Sequence, residues 1–212
     1  MIALVNGGPV IVLYSGITGP VSHCIRLTLA EKDIDTQVRY VYADSIPEEL
    51  TELNPYSTVP TLVDRDLALY DAQIILEYLD ERFPHPPLMP ADPMSRAVNR
   101  QLRYRITRDL YNPAEELNSE NEIAAAGARR TLRNSLLAIN PVFSQMPYFM
   151  SEEYTLVDCC MAPLLWRLET YNIRLPDSAG ALRRYAQSLF ERDAFQNSMS
   201  EPEREMCERM TA

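Results

Sequence analysis

Few side chains in this chain are of types that could perform chemistry. Its 212 residues include two histidines and four cysteines. One histidine, His85, lies in the stretch FPHPPLMPADP at residues 83–93, which also holds five of the 16 prolines. A histidine can act as a general base or a metal ligand, but here proline on each side leaves no neighbouring side chain to orient the ring. We expect neither role for His85, and we expect the other histidine, His23, near the surface of a helix.

The cysteines do not form a recognised metal or redox motif. Cys159 and Cys160 are adjacent, Cys24 and Cys207 stand apart, and the sequence contains no Cys-x-x-Cys pair. With only two histidines available, a zinc site would have too few ligands at any familiar spacing. We therefore expect buried, inert thiols and neither a metal nor a cofactor.

The charge of the chain limits its partners. The formal net charge is −10, and residues 1–90 hold 5 Lys and Arg against 13 Asp and Glu. Such an acidic surface repels phosphate backbones, so direct nucleic-acid binding is not expected, whereas a basic protein partner stays open. No apolar run is long enough for a membrane span, and no basic segment precedes the first apolar residues. We expect a cytoplasmic protein without a membrane partner.

The elements that would position these residues change in type along the chain. The first ninety residues predict the order β-α-β-α-β-β-α, with a parallel pair in the opening βαβ unit. The acidic turn at residues 64–66 is so short that the last two strands must be antiparallel. After Pro93 only helical patterns follow, beginning with a long helix at 94–117. The sequence predicts an α/β domain at 1–83, a proline-rich linker at 84–93 and an all-helical domain at 94–212.

Three local signatures point to one family. Proline at position 60 follows Val59 and immediately precedes a strand. Thr155 and Asp158 have the spacing of a capping box at the start of an apolar helix. The α/β half also precedes a helical half. Together these features resemble the glutathione transferase superfamily over nearly the whole chain, which implies a thioredoxin-like N-terminal domain with a cis-proline at position 60, followed by a helical C-terminal domain.

The residues do not favour glutathione chemistry. Where cysteine-type members carry a nucleophile directly before a proline, this chain has Gly19, which offers neither hydroxyl nor thiol. Where members carry an acidic residue and then serine at a helix start, this chain has Asp71 and Ala72. In those members the serine hydroxyl binds the γ-glutamyl carboxylate of glutathione. Losing that one charge-assisted hydrogen bond costs roughly 1.5–3 kcal/mol of binding free energy. We therefore expect a non-enzymatic protein without a catalytic residue. The alternative is a glutathione transferase or thiol–disulfide enzyme that uses Ser15, Tyr14 or Cys24.

The proline-rich stretch narrows the resemblance. With the motifs LEYLDERFP at 76–84 and PLLWRL at 163–168, it is similar to a bacterial family of glutathione-transferase-fold transcription regulators that associate with RNA polymerase. The resemblance implies a homodimer with a role in starvation or stress response. It also implies contact with the polymerase holoenzyme near its sigma factor through Pro84, His85 and Pro86, to which we add Pro87.

The residues of this stretch alone leave two interpretations open. Successive prolines favour a polyproline II segment with outward carbonyls, which suits a stiff interdomain connector as well as a docking surface. The resemblance favours the docking surface.

Three arginines lie on one face of the helix predicted after Pro93. One explanation is that these arginines form a row exposed to solvent. The resemblance implies that this helix faces the α/β domain of a second subunit, so we expect intersubunit ion pairs. The residues of this predicted dimer interface are Asp71, Glu77, Asp80, Arg96, Arg100 and Arg103.

Overall fold

The computed structural model describes residues 11–211, with the side chains of these residues except 118 and 207–211. Val10, predicted to begin the first strand, and the side chain of Cys207 lie outside this part. The first half contains β1 (Ile11–Gly16), α1 (Pro20–Glu31), β2 (Thr36–Val41), α2 (Glu48–Leu53), β3 (Thr61–Asp64), β4 (Leu67–Tyr70) and α3 (Ala72–Arg82). The predicted order of elements is confirmed.

The four strands form one mixed sheet in the order β2-β1-β3-β4. The β1–β2 pair is parallel and the β3–β4 pair antiparallel, as predicted. Alternate residues of β1 face opposite sides of the sheet because side chains alternate along a strand. Leu13 joins the main hydrophobic core with α1 and α3, whereas Tyr14 packs in a smaller cluster with Leu50 of α2.

The second half is helical. Its α-helices are α4 (Pro93–Ile106), α5 (Asn112–Glu115), α6 (Glu122–Ile139), α7 (Leu156–Trp166), α8 (Gly180–Phe190), α9 (Asp193–Ser198) and α10 (Glu201–Thr211). The short helix α9 was not predicted. None of the helices in the described part of the chain has the length and apolar character needed to cross a membrane. The main core contains residues from both halves, and the division at 84–93 stays a prediction.

The long helix predicted at 94–117 is interrupted. Residues Thr107–Tyr111 form a π-helical turn between α4 and α5. Pro113, in the first turn of α5, has no N–H to donate to the residue four positions earlier. A regular α-helix through this region would therefore lose a backbone hydrogen bond, and the wider turn accommodates the proline.

Helix α7 begins with the predicted capping box. The Thr155 hydroxyl accepts from the Val157 amide at 3.2 Å, and Asp158 accepts from the Thr155 amide at 2.8 Å. Asp158 is fully buried and also accepts from the Tyr185 hydroxyl at 2.7 Å. Burial raises the pKa of Asp158, and these hydrogen bonds partly offset the rise. The cap fixes the start of the helix at the centre of the second half.

The expectation that His23 lies near the surface is wrong. It is fully buried, its Nε2 lies 2.8 Å from Ser198 Oγ, and Arg167 donates to its Nδ1 at 3.2 Å. Buried Glu203 of α10 pairs with Arg167 and, at 2.5 Å, with Arg26. Burial and the two positive charges lower the pKa of His23 well below its usual value. This ion cluster joins α10 to α1 and α7, and its far-apart members explain why the sequence did not show it.

Candidate functional site

The proline segment is an exposed ridge between α3 and α4. All four residues predicted to bind a partner, Pro84, His85, Pro86 and Pro87, are exposed, and the His85–Pro86 peptide is cis. The next two residues, Leu88 and Met89, are buried in the core. The chain therefore rises to the surface for four residues and is anchored immediately afterwards. We refer to residues 84–87 as the proline ridge.

A buried lysine holds the ridge from below. The Lys32 ammonium donates to the carbonyls of Phe83 and Pro86, at 2.7 and 2.8 Å, and forms an ion pair of 2.8 Å with Asp80. Asp80, also buried, accepts from the Leu88 amide at 2.8 Å. An ammonium has three hydrogens to donate, and each meets an acceptor here. The Lys32 side chain thus fixes the backbone on both sides of His85.

This geometry corrects one expectation and reveals a residue that sequence reasoning missed. The ridge was expected to present outward carbonyls, yet the carbonyls of Phe83 and Pro86 point inward to Lys32. All four residues of the ridge are exposed, while the carbonyl of Pro86 is bound by Lys32. A signal for Lys32 was present, because it is the only lysine among the 20 basic residues of the chain.

Two grooves flank the ridge. One has a volume of about 420 Å³ and is lined by Asp33, Asp35 and Arg82 together with Pro84 and His85. The other, of about 340 Å³, extends from Pro87 along α4 to the segment before α7. The surface is therefore concave on both sides of the ridge.

A separate cavity of about 250 Å³ lies where the two halves meet. The Val59–Pro60 peptide at its edge is cis, as the resemblance implied. Asp71 begins α3 and accepts from the amides of Gln73 and Ile74, at 2.9 and 3.2 Å. Ala72 follows without a hydroxyl. Asp71 therefore already binds two amides of this helix start, and the described lining of the cavity has no serine to bind a ligand carboxylate.

The residues considered for a catalytic role are not brought together. Tyr14 faces the opposite side of the sheet, where Arg39 donates to its hydroxyl at 3.0 Å. Burial and a hydrogen bond with Glu49 raise the pKa of Tyr14 to about 12. Ser15 is fully buried and accepts from Arg26 at 2.5 Å. Of the three candidates, Cys24 lines the cavity.

The arginines predicted at a dimer interface have partners within the chain. Arg100 pairs with Glu77 of α3 at 2.7 Å, and buried Arg103 pairs with the same carboxylate. Arg96 lies 3.4 Å from Glu81. Although burial alone would raise it, the pKa of Glu77 is held below its usual value by the hydrogen bond from Arg100 and the charge of Arg103. These contacts fasten α4 to α3.

The acidic members of the predicted interface are also used inside the chain. Asp80 is buried against Lys32, and Asp71 caps α3. Neither carboxylate depends on a second subunit for a partner. Ion pairing across a dimer interface stays a prediction, and the contacts in the structure give it no support.

The two halves match two protein families in sequence. The family described as "Glutathione S-transferase, N-terminal domain" matches residues 18–82, and "Glutathione S-transferase, C-terminal domain" matches residues 83–193. Among solved structures, glutathione transferase Omega 3C from Trametes versicolor superposes with a TM-score of 0.79 at 22% identity, covering 92% of this chain and 86% of that one. At this identity the likeness shows the fold alone.

Relatives of higher identity narrow the family. A stringent starvation protein A homolog of Coxiella burnetii is 44% identical over 94% of this chain and 96% of that protein. A homolog of the same name from Histophilus somni is 49% identical over 84% of this chain and 85% of that protein. Each match is long enough to extend over both halves of this chain. The chain therefore belongs to the stringent starvation protein A family, within the glutathione transferase superfamily.

Proposed function

We propose that this protein is a non-enzymatic transcription regulator that binds RNA polymerase holoenzyme near its sigma factor through the proline ridge. The names of its relatives point to a role in starvation or a related stress. Such a partner places it in the bacterial cytoplasm. The observation that carries the proposal is the exposed ridge held from below by the only lysine of the chain.

The geometry of the ridge suits docking. Each proline ring fixes one backbone angle, and Lys32 holds the carbonyls on both sides of His85. A segment that is ordered before binding loses little conformational entropy when it binds. The acidic first half adds attraction for basic elements of a partner, chiefly through the association rate.

The cavity between the halves supports the absence of transferase chemistry. Ala72 and Gly19 stand where a serine and a nucleophile would act, and Tyr14 is turned to the other face of the sheet. The backbone does not require glycine at position 19, because its φ is −71° and an added Cβ would meet nothing within 4 Å. A side chain with a hydroxyl or thiol would fit at position 19, but this chain has glycine there.

The ridge is tested by replacing Pro84, His85 and Pro86 together with alanine. Each residue released must be ordered again on binding, at about 1 kcal/mol of backbone entropy, so polymerase affinity is expected to fall more than a hundredfold. The single change His85→Ala is expected to cost less, since the prolines remain. The matched control is Pro55→Ala, an exposed proline in the turn after α2, which is expected to bind like wild type.

Affinity is measured with purified holoenzyme, with thermal melting as the control for folding. A triple variant that melts and binds like wild type would show that the ridge is only a connector. Retention of the wild-type protein on immobilised glutathione, with turnover that Cys24→Ser abolishes, would favour the enzyme alternative.

We further propose a two-fold dimer through α3 and α4. Exposed apolar side chains lie on these helices, including Ile74 at 54% and Tyr104 at 59% exposure. They border a groove of about 700 Å³ between the two helices, and apolar side chains left exposed together are typical of an interface. Tyr104→Glu is expected to shift the protein towards monomer in sedimentation. A wild-type protein that sediments as a monomer at micromolar concentration would contradict the dimer.

A further inference from the structure

Two buried thiols meet across the boundary between the halves of the protein. Cys24 lies on α1 of the first half and Cys160 on α7 of the second, and their Sγ atoms are 3.6 Å apart. The two residues are 136 positions apart in the sequence. Sequence reasoning treated all cysteines as separate, inert thiols. The fold instead makes a close pair of these two.

The pair is within reach of a small molecule. Cys24 and Cys160 both line the cavity of about 250 Å³ beside cis-Pro60. They keep 3% and 4% of their surface exposed. Cys159 provides a contrast, since it is fully buried and its Sγ lies 3.4 Å from the Tyr154 hydroxyl. Adjacent residues of one helix therefore differ in their access to the cavity.

The surroundings give the two sulfurs different roles. A hydrogen bond from the Cys24 thiol lowers the pKa of Cys160 despite its burial, and the charge of Arg103 acts in the same direction. The same hydrogen bond and burial raise the pKa of Cys24. A thiolate is the nucleophilic form of cysteine. These directions favour Cys160 as the attacking sulfur and Cys24 as the sulfur that resolves the product.

We propose that Cys24 and Cys160 are a peroxide-sensitive dithiol that closes to a disulfide. The Cys160 thiolate attacks hydrogen peroxide, so that an S–O bond forms, the O–O bond breaks and hydroxide leaves. The sulfur of Cys24 then attacks the sulfenic acid of Cys160, an S–S bond forms, the S–O bond breaks and water leaves. Overall, two thiol protons and two electrons pass to the peroxide, which becomes two molecules of water. An external dithiol reverses the reaction by thiol–disulfide exchange.

The distance between the two sulfurs can be compared with the length of a disulfide bond. A disulfide has an S–S distance of about 2.05 Å, so the sulfurs in this structure must approach by about 1.5 Å. The new bond would link α1 to α7 and thereby join the two halves covalently. Disulfides in reducing compartments are usually transient and respond to oxidants. This inference does not depend on polymerase binding, and each can fail without the other.

The disulfide is tested by treating the reduced, full-length protein with hydrogen peroxide, blocking free thiols and digesting without reductant. Trypsin leaves Cys24 in the peptide that ends at Arg26, and Cys159 and Cys160 together in residues 134–167. Mass spectrometry is expected to show these two peptides joined with the loss of two hydrogens. Dithiothreitol is expected to release them.

Variants with one cysteine replaced by serine identify the two residues that form the disulfide. Cys159→Ser, the matched control, is expected to keep the cross-link, while Cys160→Ser and Cys24→Ser are expected to lose it. The oxidised wild-type protein is also expected to melt several degrees higher than the reduced form. A cross-link that persists in Cys160→Ser would overturn the proposal. So would a wild-type protein in which Cys24 still reacts with the blocking reagent after peroxide has been consumed. If a serine variant fails to fold, the cross-linked peptides of the wild-type protein are fragmented in the mass spectrometer instead. Cleavage of the backbone between residues 159 and 160 then shows which of these two cysteines carries the bond.

Discussion

Replacing Lys32 with methionine tests how the proline ridge is held. The side chain of Lys32 is completely buried, and its ammonium contacts Asp80 and the carbonyls of Phe83 and Pro86. Methionine retains much of the apolar stem and removes the charge with all three hydrogen bonds. The change therefore isolates the ammonium from the packing of the stem.

The contacts of Lys32 determine how much Lys32→Met should lower the free energy of unfolding. Removing one partner of a buried ion pair leaves an uncompensated charge, at a cost of about 3–5 kcal/mol. The freed carbonyls lie beneath exposed residues and regain water, so they add less than about 1 kcal/mol each. We expect Lys32→Met to lower the free energy of unfolding by about 3–5 kcal/mol. Arg105→Met is the matched control, because the ion pair of Arg105 with Asp109 is exposed and is worth about 0–1 kcal/mol.

Urea unfolding and amine labelling measure the effect. Adding Asp80→Asn to Lys32→Met removes the unpaired charge and keeps an acceptor for the Leu88 amide. We expect the double variant to regain about 2 kcal/mol of the free energy of unfolding that Lys32→Met loses. Because Lys32 is the only lysine, a lysine-selective reagent reports its accessibility directly in the wild-type protein. We expect labelling at Lys32 to require unfolding. A Lys32→Met variant within about 1 kcal/mol of wild type, or rapid labelling of folded protein, would refute the anchoring role.

Three further predictions concern the core and α1. Glu203→Gln leaves Arg26 and Arg167 without their buried carboxylate, and urea unfolding is expected to show a loss of about 3–5 kcal/mol. The pKa of His23 is lowered below its usual 6.5 on folding, so the unfolded chain binds more protons below that pH. Stability should therefore fall as the pH drops below 6.5, by up to about 1.4 kcal/mol per pH unit, and His23→Gln should reduce this slope. Gly19→Ala should change the free energy of unfolding by less than about 0.5 kcal/mol, since the new Cβ meets nothing within 4 Å.

Features with a local cause were predictable from the sequence. The order of strands and helices in the first half follows from apolar periodicity and short turns. The cap of α7 follows from the spacing of Thr155 and Asp158. The cis peptide before Pro60 was implied by the family resemblance and is confirmed. The interruption of the long helix near Pro113 also has a local cause in the missing proline N–H. That residue should have limited the prediction of a continuous helix at 94–117.

Features made by distant residues were not predictable from one sequence. His23 meets Ser198 across 175 positions, and Cys24 meets Cys160 across 136. Spacing arguments apply within one element and cannot show which helices pack together. The arginines of α4 illustrate the same limit. Their helical spacing was correct, but their partner, Glu77, proved to be in the same chain.

Helix α1 connects these observations because each of its functional side chains holds a different part of the protein. Cys24 contacts α7, Arg26 pairs with Glu203 of α10, and Lys32, directly after the helix, holds the proline ridge. Eight residues of helix span about 12 Å, so the dithiol and the ridge anchor share one rigid support. If the proposed polymerase binding holds, a substitution in α1 should weaken it without any contact with polymerase. The melting control separates such indirect variants from the exposed alanine variants of the ridge, whose stability should be unchanged.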